Sequence, residues 1–298
     1  MQEQSWLDLF ITYLQLEKNS SIHTMRNYAN DISDFEVFMK DSQVFCFSDV
    51  TVNDVETYIE MLERKYSNNT ILRKISTLRS FYRFHMEEGR VHENVFSSLT
   101  FTKNSERIPT FFNEKEIMDV LQSLNSSDPI DQRDCAIIEL LYATGMKVSE
   151  CKSIQLGDID FSIGTVLIDK EGRNERYSPL GAFALDVLQK YINHGRMVLA
   201  EKKSQPNGSL FLNFRGGALS ERSIRAIIHK RVEKVLDKKD FRPNDVRHSL
   251  ATHLMNNGAN IRIVRELLGH KQFLTTQQYT HVSKDRLQDV YKHCHPRA

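Results

Sequence analysis

Residues 1–100 carry four successive apolar runs at helical spacing, a repetition that commits the start of this chain to a bundle of amphipathic helices. Trp6, Leu7, Phe10, Ile11 and Leu14 form the first run, and Tyr28, Ile32, Phe35, Phe38 and Met39 the second. A third begins at Thr51 with Val55, Tyr58, Ile59 and Leu62; a fourth carries Ile71, Ile75, Leu78 and Tyr82 and stops near Gly89. Apolar residues three and four apart share one helix face, and four such faces cover one another. The fourth run also holds Arg73, Lys74, Arg79 and Arg83 among Ser76, Thr77 and Ser80. Such a face can meet phosphates or simply lie in solvent.

Residues 101–109 are polar, lack periodicity and end in Pro109, which marks a linker between a helical domain at 1–100 and a second domain at 110–298. Beyond it, helices are expected at 114–124 and 134–142, the latter closed by Gly145 as a left-handed cap. Residues 157–180 alternate like strands, with turns at 162–164 and 170–172, and predict a small antiparallel sheet. Helical patterns return at 182–200, 220–237, 243–257, 261–268 and 283–292. The fold class is therefore mainly α with a small antiparallel β-sheet (α+β), in two domains.

A net charge of +1 conceals an asymmetry: residues 221–298 carry 16 Lys and Arg against 8 Asp and Glu, leaving 24 against 31 in residues 1–220. Basic charge gathered at one end fits a polyanion grip, with a solvated basic face as the competing reading. Cys46, Cys135, Cys151 and Cys294 are scattered, which points to free thiols rather than disulfides or zinc. No stretch approaches the roughly 18 apolar residues of a membrane span, and the N-terminus lacks a signal-peptide pattern. The expected address is the cytoplasm, with no membrane partner. No phosphate-binding GxxxxGK[ST] loop occurs, so no nucleotide cofactor is expected.

The chemistry-bearing residues lie late in the chain. Arg247-His248-Ser249 is followed by Leu267-Leu268-Gly269-His270, and Tyr279 stands nine residues after that histidine. An arginine forks onto phosphate oxygens, a histidine donates a hydrogen bond, and a phenol is a nucleophile able to hold DNA covalently. Four segments occur in order: Leu140-Leu-Tyr-Ala-Thr-Gly-Met-Lys-Val-Ser-Glu150, Asp245-Val-Arg-His-Ser-Leu-Ala-Thr-His253, Glu266-Leu-Leu-Gly-His270 and Thr275-Thr-Gln-Gln-Tyr-Thr-His-Val282. Together they resemble the tyrosine recombinase (phage-integrase) family, and the ending from Ser283 to Ala298 resembles its Xer branch. The resemblance spans essentially the whole chain.

That resemblance implies a C-shaped clamp, with a helical core-binding domain on one face of DNA and a tyrosine-recombinase catalytic domain on the other. It implies cleavage of one strand through a 3′-phosphotyrosine link and strand exchange through a Holliday junction in a cyclic tetramer, without metal or cofactor. The implied partners are a double-stranded DNA recombination site, a second Xer-type recombinase and a DNA translocase of the FtsK type. The implied task is resolving chromosome or plasmid dimers at cell division. By the same resemblance the helix at 286–293 docks into a neighbouring protomer.

Position by position, Tyr279 matches the nucleophile, Arg247 the second arginine of the phosphate clamp and His270 the supporting histidine. A metal role for His248, His253 and His270 is disfavoured, because the first two are five apart and off a common helix face. Three positions depart from the family pattern. The first arginine is Lys147, the basic residue three before Arg247 is Asn244, and the catalytic lysine falls on Glu171 with Lys170 beside it. Lys147 keeps the charge but not the fork. Asn244 can donate a hydrogen bond but carries no charge. Glu171 places an anion where the family uses a general acid, and in a regular strand Lys170 would point the other way. Two functions follow: a Xer-type recombinase with weakened catalysis, or a DNA-binding pseudo-recombinase acting as an architectural partner. A mobile-element integrase and a helix-turn-helix regulator are lesser alternatives.

Overall fold

The computed structural model describes residues 5–18, 20–97, 99, 111–124, 126–170, 175–203, 208–238, 241–269 and 284–298, with only the backbone for 23 and 284–287. The chain divides into two compact units, Met1–Arg107 and Ile108–Ala298. The segment expected as a linker, residues 101–109, lies outside the described residues.

The first unit holds α1 (Trp6–Leu16), α2 (Ile22–Asp41), α3 (Val52–Lys65) and α4 (Asn68–Glu87). Side-chain caps start three of them: Ser5 Oγ accepts from the Asp8 amide, Ser21 Oγ from Thr24, and Thr51 and Asp54 form a reciprocal capping box. The buried faces meet in an aromatic core of Phe10, Phe35, Tyr58, Phe81, Tyr82 and Phe96. Phe35 packs edge-on against both Tyr58 and Phe96, the geometry that ring quadrupoles favour.

The basic face expected on α4 is mostly turned to internal use. Lys74 is buried, with its ammonium 3.2 Å from Asp31 and 2.5 Å from Asp34 of α2. Arg73 also pairs with Asp31. Arg79 donates to the carbonyls of Phe96 at 3.0 Å and Leu99 at 2.8 Å, tying the segment after α4 onto the bundle. Arg83 is exposed.

In the second unit, α5 (Glu114–Gln122) and α6 (Pro129–Thr144) precede the short helix α7 (Val148–Ser153). Strands β1 (Ile159–Asp160), β2 (Thr165–Ile168) and β3 (Arg176–Pro179) form one antiparallel sheet in that order, with Ile159 opposite Val166 and Ile168 opposite Arg176. Then follow α8 (Ala182–Lys190), a π turn at Tyr191–Gly195 and α9 (Arg196–Ala200). The unit ends with α10 (Glu221–Leu236), α11 (Pro243–Asn256), α12 (Ile261–Leu268) and α13 (Lys284–Cys294).

Helix α6 is the core of this unit, buried from Gln132 to Thr144 apart from Cys135 and packed by α8, α11 and α5. It starts earlier than its apolar pattern, because Asp128 caps the amides of Ile130 and Asp131 and Pro129 fits the first turn. Helix α13 packs on its own unit. Tyr291 and Cys294 are buried there, and Tyr291 Oη accepts from the Gly181 amide. Near the C-terminus, Arg297 Nε donates to the fully buried Glu139 at 2.8 Å. No described helix is long and apolar enough to cross a membrane.

Candidate active site

Two helix C-termini meet within the second unit. Helix α6 ends at Gly145 (φ +60°) and α12 at Gly269 (φ +71°), both left-handed caps that glycine adopts without steric cost. A Cβ on Gly145 would lie 2.4 Å from Leu268 Cδ2, so glycine is also what lets the two ends approach. The last carbonyls of a helix lack partners within it and carry the negative end of its dipole. A cation is the natural occupant.

Arg247 fills that position. It rises from the first turns of α11 and is buried, with Nη1 donating to Gly145 O at 2.6 Å and Nη2 to Leu268 O at 2.6 Å. The guanidinium plane is thereby fixed by two backbone segments 102 and 21 residues away in sequence. Burial draws its pKa down from the usual guanidinium value, and the charge of Glu150 opposes that. Arginine stays protonated through such a shift.

A second arginine stands beside it. Arg176, the first residue of β3, donates Nη1 and Nη2 to the two oxygens of Glu150 at 3.1 and 3.0 Å, and Nε to Leu267 O at 3.3 Å. Glu150 also accepts the Lys147 amide at 2.7 Å. Burial disfavours the Glu150 charge, but the Arg176 fork and the Lys147 amide outweigh it and hold the carboxyl below the usual carboxylate range.

The remaining expected residues are placed unequally. Lys147 caps the start of α7 with its side chain exposed, on the turn that follows Gly145. Asn244 is exposed in the first turn of α11, three residues before Arg247 and so on a neighbouring position of the helix surface. Lys170 is exposed past the end of β2, after Asp169 turns into the left-handed region at φ +58°, and its ammonium lies 3.8 Å from Asp158. Glu171, His270 and Tyr279 lie outside the described residues. The structure therefore joins Arg247 to the Gly145–Lys147 turn and to the end of α12, and turns Lys170 toward Asp158.

Two other polar residues of the motif, Ser249 and His253, serve the fold. Ser249 Oγ accepts the Phe112 amide at 2.8 Å and donates to Asp245 O at 2.7 Å. His253 is buried with Nδ1 2.8 Å from Tyr142 Oη. Burial lowers the His253 pKa.

Residues 110–286 match the model of the phage integrase family, and residues 7–89 match that of the phage integrase N-terminal SAM-like domain. The chain belongs to the phage integrase family. Tyrosine recombinase XerC of Halalkalibacterium halodurans is 44% identical over 301 residues, covering 100% of this chain and 99% of that protein. Tyrosine recombinase XerC of Bacillus subtilis is 43% identical, covering 99% and 97%. Among solved structures, the Tn1549 transposon integrase in complex with transposon right end DNA has a TM-score of 0.71 at 17% identity, covering 97% of this chain and 99% of that one. A lambda integrase dimer bound to a COC′ core site gives 0.67 at 17% identity, covering 93% and 98%. The structural likenesses establish the fold.

For this integrase fold, sequence reasoning left Glu150 and Arg176 without roles. Glu150 lay inside a recognised motif, but its partner stands 26 residues later on a strand. The only local hint at Arg176 was a cation on a short strand beside a buried apolar face.

Proposed function

We propose that this chain is a Xer-type site-specific recombinase that cuts and rejoins DNA through Tyr279. The phenol would release its proton to solvent as its oxygen attacks the scissile phosphorus. The P–O bond to the 5′-oxygen would break, and that oxygen would take up a proton from solvent and leave as a hydroxyl. The 3′-phosphotyrosine would conserve the bond energy for rejoining. Arg247 and His270 would hold the phosphate oxygens, with Lys147 supplying charge from the turn after Gly145. The observation that carries the reading is the placement of Arg247, oriented by Gly145 O and Leu268 O where three of the sequence motifs converge. Relatives named tyrosine recombinase XerC along the full length of the chain support it.

By the same reading the working form is a tetramer on a double-stranded recombination site, shared with a second Xer-type recombinase and driven by an FtsK-type translocase. It would resolve chromosome or plasmid dimers at division. Salt-titrated DNA binding followed by trapping on nicked suicide duplexes tests the chemistry. A covalent adduct that vanishes in Tyr279→Phe is expected. A folded, DNA-binding chain that gives no adduct on any candidate site overturns it.

A second reading has its own support. Lys147 cannot fork, Lys170 is drawn to Asp158, and Glu171 occupies the family's lysine position. A chain built this way would grip DNA beside an active partner while cutting poorly itself. Restoring Lys147→Arg, Glu171→Lys and Asn244→His should then raise adduct formation at least tenfold; an unchanged, already high rate would count against it.

A further inference from the structure

The Arg176–Glu150 pair takes no part in the chemistry above, yet it touches two of the segments that build the site, the end of α12 and the turn after α6. The last carbonyls of α12 are each taken by an arginine from a different element: Leu267 O by Arg176 of β3 and Leu268 O by Arg247 of α11. The Gly145 turn is held twice as well, through Gly145 O on Arg247 and through the Lys147 amide on Glu150. A Cβ built on Gly269 would lie 3.0, 3.0 and 3.1 Å from Cζ, Nη1 and Nε of Arg176. Such near-equal distances place the flat face of the guanidinium against the Gly269 α-carbon. His270 is the next residue in the chain.

We propose that Arg176 is a positioning residue: acting through Glu150, it clasps the end of α12 against the turn after α6 and so holds in place the two carbonyls that orient Arg247. Its chemical consequence rests on the recombinase reading; the clasp itself does not. Three of the Arg176 N–H groups are engaged in fixed directions, two on one carboxylate and one on a carbonyl. Only a planar fork meets all three acceptors at once, because an ammonium is a single point donor on a flexible stem. The pair also balances charge. Glu150 supplies one negative group beside two arginines, favouring the charged form of Arg247 while the positive charge of Arg176 disfavours it. Both side chains are largely shielded, at 12% exposure for Arg176 and 9% for Glu150, so water substitutes poorly for either.

The discriminating variant is Arg176→Lys, which keeps the charge and loses the fork. Amide hydrogen exchange on the full-length chain should be at least tenfold faster in peptides covering 145–150 and 263–269, with α1–α4 unchanged. Adduct formation on a nicked suicide duplex should fall about 100-fold, the typical cost of a misplacement near 1 Å, while affinity for the same duplex stays within about threefold. Glu150→Gln should reproduce both effects. The double variant should be no worse than either single one, because the two side chains act as one unit.

Gly269→Asn guards against a misfolded Arg176 variant, since asparagine tolerates the left-handed backbone while its Cβ crowds the guanidinium. It should show the same exchange signature at smaller size. Unchanged exchange in Arg176→Lys, or additive losses in the double variant, would overturn the proposal. If the wild-type chain forms no adduct, the recombinase reading fails while the exchange result still decides the clasp.

Discussion

Helices α4 and α11 both present cations that look alike along the sequence, but the fold treats them oppositely. On α4, Lys74 is sunk between Asp31 and Asp34, with Thr77 Oγ1 completing the cluster on Asp31 at 3.1 Å. A cation matched by carboxylates at that range has little attraction left for a phosphate. On α11, Arg247 is oriented by the carbonyls of two helix ends. Carbonyl dipoles fix the direction of a guanidinium without cancelling its formal charge, and the Glu150 carboxylate that also acts on Arg247 is forked to Arg176. On the recombinase reading, the identity of the counter-group, more than the presence of Lys or Arg, separates a structural cation from a working one.

The largest test of this contrast lies in the first unit. Asp31→Ala removes the buried carboxylate shared by Arg73, Lys74 and Thr77, leaves Lys74 the more exposed Asp34, and should cost about 3 kcal/mol of stability in urea denaturation. Lys74→Met removes the charge instead and should be far milder, with the salt dependence of DNA binding unaltered; a slope reduced by about one would show that Lys74 reaches a phosphate after all. In the second unit, Arg247→Lys keeps the charge but cannot span Gly145 O and Leu268 O. Adduct formation should drop about 10²–10³-fold, as for loss of one transition-state donor. A rate within threefold of wild type would mean that charge alone suffices there and would erase the distinction.

The smallest effect is expected at Arg83, an exposed cation of α4 with no carboxylate partner among the described residues. If that face meets DNA at all, Arg83→Ala should lower affinity only a few-fold and reduce the salt slope by about one. An unchanged slope would leave Arg83 with no electrostatic part in binding and sharpen the contrast with α11.

Much of the architecture was legible in advance because it rests on local rules. The four N-terminal helices, the Gly145 cap and the hairpin around 164 follow from periodicity and turn residues whose partners lie a few positions away. Helix α7 was not foreseen, since six residues are too short to show a period. The π turn within 182–200 had no local signal either: the Gly195 amide donates to Gln132 Oε1 at 2.9 Å, a partner on α6. Within the site, Arg247 was readable from its motif and Arg176 was not. Its role depends on Glu150 and Leu267, 26 residues before it and 91 after.

The sequence alone determined the helical bundle, the small sheet and the recombinase lineage. Spacing encodes contacts between near neighbours, and chemical type encodes what a residue can do once placed. Tertiary structure decided which cations are neutralised inside the fold, which two helix ends Arg247 joins, and that Lys170 reaches for Asp158. Those outcomes depend on approaches between segments tens to a hundred residues apart, where packing sets the distance and distance sets the electrostatics.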